Sequence, residues 1–152
     1  MREYSYTVDR DGRVFHDGSE IVDPATLRFF LLAMTTTPDG RHLVVCQGER
    51  NWFESADTPF VVQRVALVGP AAAPEAVELR FAGDYRERLD PATLESRAGV
   101  LYCRVRRGAF RARFGRVALQ QLAPLLAERG DGPALVLAGA SHPIRRRPSS
   151  GS

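Results

Sequence analysis

Leu101-Tyr102-Cys103-Arg104-Val105-Arg106, a break at Gly108, and then Phe110-Arg111-Ala112-Arg113-Phe114 form the clearest structural signal in the chain. Apolar and polar side chains alternate on both sides of Gly108, which is the period of a half-buried strand, so the segment predicts a β-hairpin. Pleating sends Leu101, Cys103, Val105, Phe110, Ala112 and Phe114 to one face. The arginines Arg104, Arg106, Arg111 and Arg113 go to the other. Upstream, Val77, Leu79 and Phe81 alternate as a strand, and Asp90-Pro91-Ala92-Thr93-Leu94 reads as a short helix start with Asp90 as its cap. Downstream, Leu119, Leu122 and Leu126 mark a helix that Pro124 kinks or splits, and Leu135-Val136-Leu137 reads as a last strand.

The first part of the chain runs in the same order. Tyr4, Tyr6 and Val8 alternate, Asp11-Gly12 supplies a turn, and Val14-Phe15-His16 completes a hairpin. Asp23-Pro24 then caps a helix with Leu27, Phe30, Leu31 and Met34 on one face. Leu43–Cys46 and Pro59–Val68 read as strands. Hairpin, helix and strand thus occur twice, which predicts an α+β fold of two similar halves with further antiparallel strands. The expected boundaries are 1–68 for the first half, 69–75 for a breaker-rich connector, 76–144 for the second half, and 145–152 for a disordered arginine-containing tail.

Composition narrows the function classes. The chain has 152 residues, 44% hydrophobic and 26% charged, with a net charge of +3 and mean hydropathy of −0.22. That is enough apolar material for a core and too little charge imbalance for wholesale disorder. Its longest apolar runs, such as 29–34, fall far short of the roughly 20 residues of a membrane helix. The start of the chain lacks the apolar stretch of a secretory leader, so a cytoplasmic setting is expected. Cys46 and Cys103 sit in strand-like runs and read as reduced, buried thiols. All 21 basic residues counted as Lys or Arg are Arg, the side chain whose planar fork suits carboxylates and phosphates.

Two groups of residues carry candidate chemistry. Glu49-Arg50-Asn51 places an acid, a guanidinium and an amide in succession, read as a turn after the strand ending near Cys46, with Asp57 six residues beyond Asn51. Arg50 could grip an anion, Asn51 orient it, and Glu49 or Asp57 fix Arg50; a turn held by an Arg–carboxylate pair explains the same residues. The second group is the hairpin face of Arg104, Arg106, Arg111 and Arg113. Like charges opposed across strands repel unless solvent or an anion screens them, so the face either is solvated or invites a phosphate or acidic partner. His16, His42 and His142 have no metal-ligand spacing, and neither a phosphate-binding glycine loop nor a nucleophile elbow is present, so no metal and no cofactor is expected. Nucleic acid is not an expected partner, because +3 is a weak footprint and no binding motif is present.

Tyr4-x-Tyr6-x-Val8-Asp9-x-Asp11-Gly12, Cys46-Gln47-Gly48-Glu49-Arg50-Asn51-Trp52-Phe53 and Asp57-Thr58-Pro59-Phe60-Val61-Val62 together resemble an uncharacterised protein family of unassigned function found in bacteria and animal mitochondria. The resemblance runs from about Glu3 to Ile144. More distantly, Gly18-Ser19-Glu20-Ile21 and the run from Asp57 to Val61 are similar to a bacterial family of unknown function. That likeness implies a duplicated α+β structure, a second half loosely like a pleckstrin-homology fold, and a ligand site between the halves. The function expected from residues and resemblance together is a non-catalytic binding or regulatory protein. Its ligand would be an anionic, nucleotide-like small molecule held at the seam by Glu49, Arg50, Asn51, Asp57 and the hairpin arginines. The alternatives are an enzyme acting on a phosphorylated or carboxylated metabolite, with Glu49 or Asp57 as base, and a protein-interaction module with an arginine-rich face. Ligand identity and oligomeric state are left open by the sequence.

Overall fold

Asp23 accepts hydrogen bonds from the backbone N and the hydroxyl of Thr26, at 2.9 and 2.7 Å, and Pro24 occupies the first helical position, so the first helix begins where its sequence signals place it. This helix, α1 (Pro24–Ala33), buries Phe30 and Leu31, with Met34 closing its end. The computed structural model describes residues 1–148. Around α1 the chain forms β1 (Glu3–Val8), β2 (Val14–His16), β3 (Ser19–Ile21), β4 (Thr35–Thr36), β5 (His42–Cys46) and β6 (Glu49–Ser55). These six make one sheet in the order β3-β2-β1-β6-β5-β4. Its central pair, β1 and β6, is parallel. Parallel neighbours need a long connection, here formed by the β2–β5 segment with α1 inside it.

The remaining strands are β7 (Phe60–Val62), β8 (Arg64–Val68), β9 (Ala76–Arg80), β10 (Arg86–Arg88), β11 (Glu95–Arg97), β12 (Val100–Val105), β13 (Phe110–Phe114), β14 (Leu126–Arg129), β15 (Gly132–Leu137), β16 (Ala140–Pro143) and β17 (Arg145–Arg147). A second helix, α2 (Arg116–Leu122), passes into a 3₁₀ turn over Ala123–Leu125. Pro124 accounts for the change, since it has no N–H to continue the helical ladder. The sheets are β10-β9-β8, β17-β11-β12-β13-β7 and β14-β15-β16. The protein is therefore a sheet-rich α+β fold with few helices.

The hairpin expected over 101–114 is present, β12 and β13 pairing antiparallel with Arg104 opposite Arg111. Other expectations change. The segment 69–75 is the turn of the β8–β9 hairpin, and β7, from the first part of the chain, pairs in parallel with β13 from the second. Sheets and core thus cross the expected boundary. One cluster of buried side chains runs from Val8 to Ile144, with Phe60 packed 4.8 Å from Phe110 between ring centres. The second Asp-Pro-Ala-Thr run forms a single 3₁₀ turn, Pro91–Thr93, rather than a helix. Leu135–Leu137 is followed by two further strands. The expected tail begins as one of them, because Arg145 N donates to Leu94 O at 3.2 Å and β17 pairs in parallel with β11; residues 149–152 of that segment lie outside the described residues.

Candidate functional site

Three neighbours hold the outer face of the β12–β13 hairpin in place. Thr93 accepts from Arg104 N at 3.0 Å and donates to Asp90 O at 2.8 Å, so the second Asp-Pro-Ala-Thr run positions Arg104. Thr58 accepts from Arg113 N at 3.2 Å and donates to Phe60 O at 2.7 Å, fixing the loop between β6 and β7 against the hairpin. Asp57 in that loop accepts from the Tyr102 hydroxyl and from Arg113 Nη1, each at 2.7 Å. Burial, with the Asp57 carboxylate beside it, raises the Tyr102 hydroxyl above its ordinary pKa. Tyr102 therefore stays neutral and donating.

Where this face meets the edge of the first sheet, an open cleft of about 350 Å³ is lined by Thr36, His42, Asp57, Arg104, Phe110 and Arg111, among others. Arg104 and Arg111 stand directly opposite one another in the strand register, the arrangement that repels unless screened. Arg104 has no carboxylate partner among the described residues. His42, half-buried with its ring centre 5.7 Å from that of Phe110, has its pKa lowered by burial. Its Nδ1 lies 3.3 Å from the Thr36 hydroxyl. The cleft is thus lined by guanidinium donors, a threonine hydroxyl, an imidazole and the Asp57 carboxylate.

The expected site residues separate into four sets. Asp57, Arg104 and Arg111 come together in the cleft. Arg113 is held by Asp57 and lines a second hollow of about 430 Å³ with Arg10 and Arg116. Arg106 is not on the face at all. It occupies the turn in the left-handed region, at φ 51°, and its guanidinium reaches the carbonyls of Leu31 and Met34 at the end of α1. Its backbone N donates to Glu87 at 2.9 Å.

Glu49, Arg50 and Asn51 are a correction. They are not a turn but the beginning of β6, the turn being Gln47-Gly48 with φ of 50° and 77°. Alternation along β6 then puts Arg50 and Asn51 on opposite faces. Asn51 is buried and donates to Val44 O at 3.1 Å, while Arg50 is exposed opposite Val45. His42 shares the Val44 face, so Arg50 points away from the face that reaches the cleft. Strand alternation therefore does not bring Arg50 to the cleft with Arg104.

The sequence reading missed His42, Thr36 and Thr58 as cleft residues, and Glu95, Arg97 and Arg147 on the adjoining strands. Alternation in Glu95-Ser96-Arg97 was a usable signal for the latter. Register places Arg145 and Arg147 level with Glu95 and Arg97, so among the described residues of these strands Arg97, Arg104, Arg111, Arg113, Arg145 and Arg147 share this side with Glu95, and Asp57 reaches it from the β6–β7 loop. Six cations against two anions exceed the +3 of the whole chain. The positive charge is concentrated here.

The architecture has solved counterparts. A DUF1285 family protein from Silicibacter pomeroyi DSS-3 is similar with a TM-score of 0.68 and 20% identity, over 94% of this chain and 82% of its own. A second, from Shewanella baltica OS155, gives a TM-score of 0.61 and 12% identity over 78% and 90%. The chain has the fold of DUF1285 proteins. Both neighbours are proteins of unknown function, in keeping with the uncharacterised bacterial family that the sequence resembles. No protein-family profile matches the sequence, and no curated protein does either. The DUF1285 likeness supports the fold, and the chemistry rests on the residues above. Among the described residues no three His, Cys, Asp or Glu side chains gather as a metal set, and no helix is long and apolar enough to cross a membrane.

Proposed function

We propose that the protein is a non-catalytic binding module for a small molecule bearing phosphate or carboxylate groups, nucleotide-like in charge, held in the cleft by Arg104 and Arg111. The observation that carries the reading is the opposed Arg104–Arg111 pair at the cleft, in which Arg104 has no carboxylate among the described residues. An anion between them converts a repulsion into two charge-assisted contacts. Asp57 is committed to Tyr102 and Arg113, which disfavours it as a general base, and Glu49 lies on another sheet; the binding reading is preferred to the enzymatic one on that ground. Two unpaired cysteines suit a reducing, cytoplasmic setting. We further read the chain as a duplication with a loosely pleckstrin-homology-like second half. Its support is that each Asp-Pro-Ala-Thr run is capped by its own aspartate, Asp90 accepting from Ala92 N at 3.1 Å.

Thermal denaturation with pyrophosphate tests the cleft. At 100 times its dissociation constant a ligand stabilises by about 2.7 kcal/mol, which for a chain of this size raises Tm by about 5–10 °C. Arg104→Ala, folded and cooperative without ligand, is expected to lose that shift. No shift in the parent, or an unchanged shift in Arg104→Ala, refutes the reading.

A further inference from the structure

Arg111 faces in two directions. One is the cleft that it lines with Arg104. The other is Glu95, a carboxylate on β11 whose side chain is only 13% exposed. Glu95 Oε2 accepts a hydrogen bond from Arg147 Nε at 3.1 Å. Glu95 Oε1 is 3.2 Å from Arg111 Nε, yet the approach is too bent for a hydrogen bond, and both atoms are buried without a partner. Arg97 Nε, on the same face two residues from Glu95, is likewise buried and unpartnered.

A carboxylate drawn this far out of water needs counter-charge; Arg147 supplies it through a hydrogen bond and Arg111 by proximity alone. The Arg111–Glu95 pair therefore has Coulombic attraction without the directional bond that would make it strong. A buried donor left unmade is itself unfavourable. Arg111 is thus better satisfied by turning to an anion that presents an aligned oxygen. Glu95 would keep Arg147 in that event, and Arg97 offers a further donor on the same face.

We infer that Glu95 is an internal counter-ion that competes with the cleft's ligand for Arg111, so that the site binds by displacing a carboxylate of the protein itself. This deepens the binding reading and rests on it. Glu95 is a positioning residue, since it acts on the ligand only through Arg111. Two variants outside the cleft should then move affinity in opposite directions. Glu95→Gln releases Arg111 and tightens binding. Arg147→Ala leaves Glu95 more dependent on Arg111 and weakens binding.

Calorimetric titration of the full chain with pyrophosphate reads both. Glu95→Gln is expected to bind about three- to tenfold tighter and Arg147→Ala about three- to tenfold weaker, the net scale of one ordinary hydrogen bond, because the Arg111–Glu95 contact lacks the alignment of a full charge-assisted one. Charge controls separate this from long-range attraction. Arg146→Ala removes an exposed cation of the same strand from its opposite face, and Glu128→Gln removes an exposed anion; each is expected to stay within about twofold of the parent. Should Glu95→Gln not fold, Glu95→Asp, whose shorter side chain draws back from Arg111, takes its place with the same expected sign. Binding that depends on Arg104 but is unchanged or weaker in the Glu95 variant, or unchanged in Arg147→Ala, overturns the competition and leaves the cleft standing. Absence of Arg104-dependent binding in the parent overturns both.

Discussion

Gly83 lies where a turn of the second part of the chain packs against the backbone of α1, and replacing it with alanine measures how tightly the two are packed there. It has φ of 69° within the 3₁₀ turn Ala82–Asp84. A Cβ there would lie 2.4 Å from Arg28 N, 2.6 Å from Pro24 O and 3.0 Å from Arg28 Cα, all of them backbone of α1. Backbone cannot swing aside as a side chain does, and α1 is pinned by the Asp23 cap, by buried Phe30 and Leu31, and by Arg28 donating to Gly83 O at 2.8 Å. The left-handed backbone costs an alanine about 1–2 kcal/mol, and forced overpacking adds about 1–3 kcal/mol. Gly83→Ala should therefore lose about 2–5 kcal/mol, a fall in Tm of about 4–20 °C at this chain length. Gly139→Ala isolates the backbone part, having φ of 79° and nothing within 4 Å of the new Cβ; it should lose only about 1–2 kcal/mol. Thermal and urea denaturation of both variants give the comparison. If Gly83→Ala melts within about 1 °C of Gly139→Ala, the close approach of the turn to α1 is wrong.

Truncation after Ile144 removes β17 and the Arg147–Glu95 hydrogen bond, leaving a buried carboxylate with one misaligned partner; a loss of about 1–3 kcal/mol in urea denaturation is expected, and an unchanged midpoint would return the segment to the disordered tail of the sequence reading. His42 titrates with the sign of a buried base. Because its folded pKa is lowered by burial, the unfolded chain takes up a proton below about pH 6.5 that the native state does not, so stability is lost as pH falls through that range. Denaturation midpoints at pH 7.5 and 5.0 should differ more in the parent than in His42→Gln, and equal differences in the two would show that His42 carries no linkage.

What the sequence discloses is periodicity. The hairpin 101–114 and helix α1 rest on local signals: alternation either side of Gly108, an aspartate cap with a following proline, and apolar residues at helical spacing. Strand β6 shows where such signals mislead. Glu49-Arg50-Asn51 is polar enough to pass for a loop, yet Asn51 and Phe53 point inward together, and the actual turn is the two-residue Gln47-Gly48. A buried Asn that bonds to Val44 O is indistinguishable in sequence from an exposed one. Long-range pairing is the second blind spot. Nothing local to Phe60-Val61-Val62 or to Arg145-Arg146-Arg147 indicates a parallel partner some fifty residues away, and the arginine run reads as polar tail until β11 is found beside it. The candidate site inherits both errors, since Arg104 and Arg111 were visible in the hairpin while His42, Glu95 and Arg147 reach it only through tertiary pairing.

Arg106 explains how a cleft between two sheets keeps its shape. The last carbonyls of a helix have no partners within it, and α1 has no basic residue in its last turn. The guanidinium of Arg106 fills that need from the tip of the β12–β13 hairpin, with its central carbon held 5.1 Å from the centre of the Phe110 ring. Glu87 grips the backbone N of the same residue, and the Tyr85 hydroxyl bonds Glu87 in turn. The hairpin tip is thus tied to α1 on one side and to β10 on the other. Arg104 lies two residues before this anchor and Arg111 five after it, so the two cleft arginines stand on a hairpin clamped at its turn, which leaves the side-chain torsions of Arg111 to choose between Glu95 and the ligand proposed above. The arginine that sequence pattern grouped with the anion-binding set is the one that fixes the others in place.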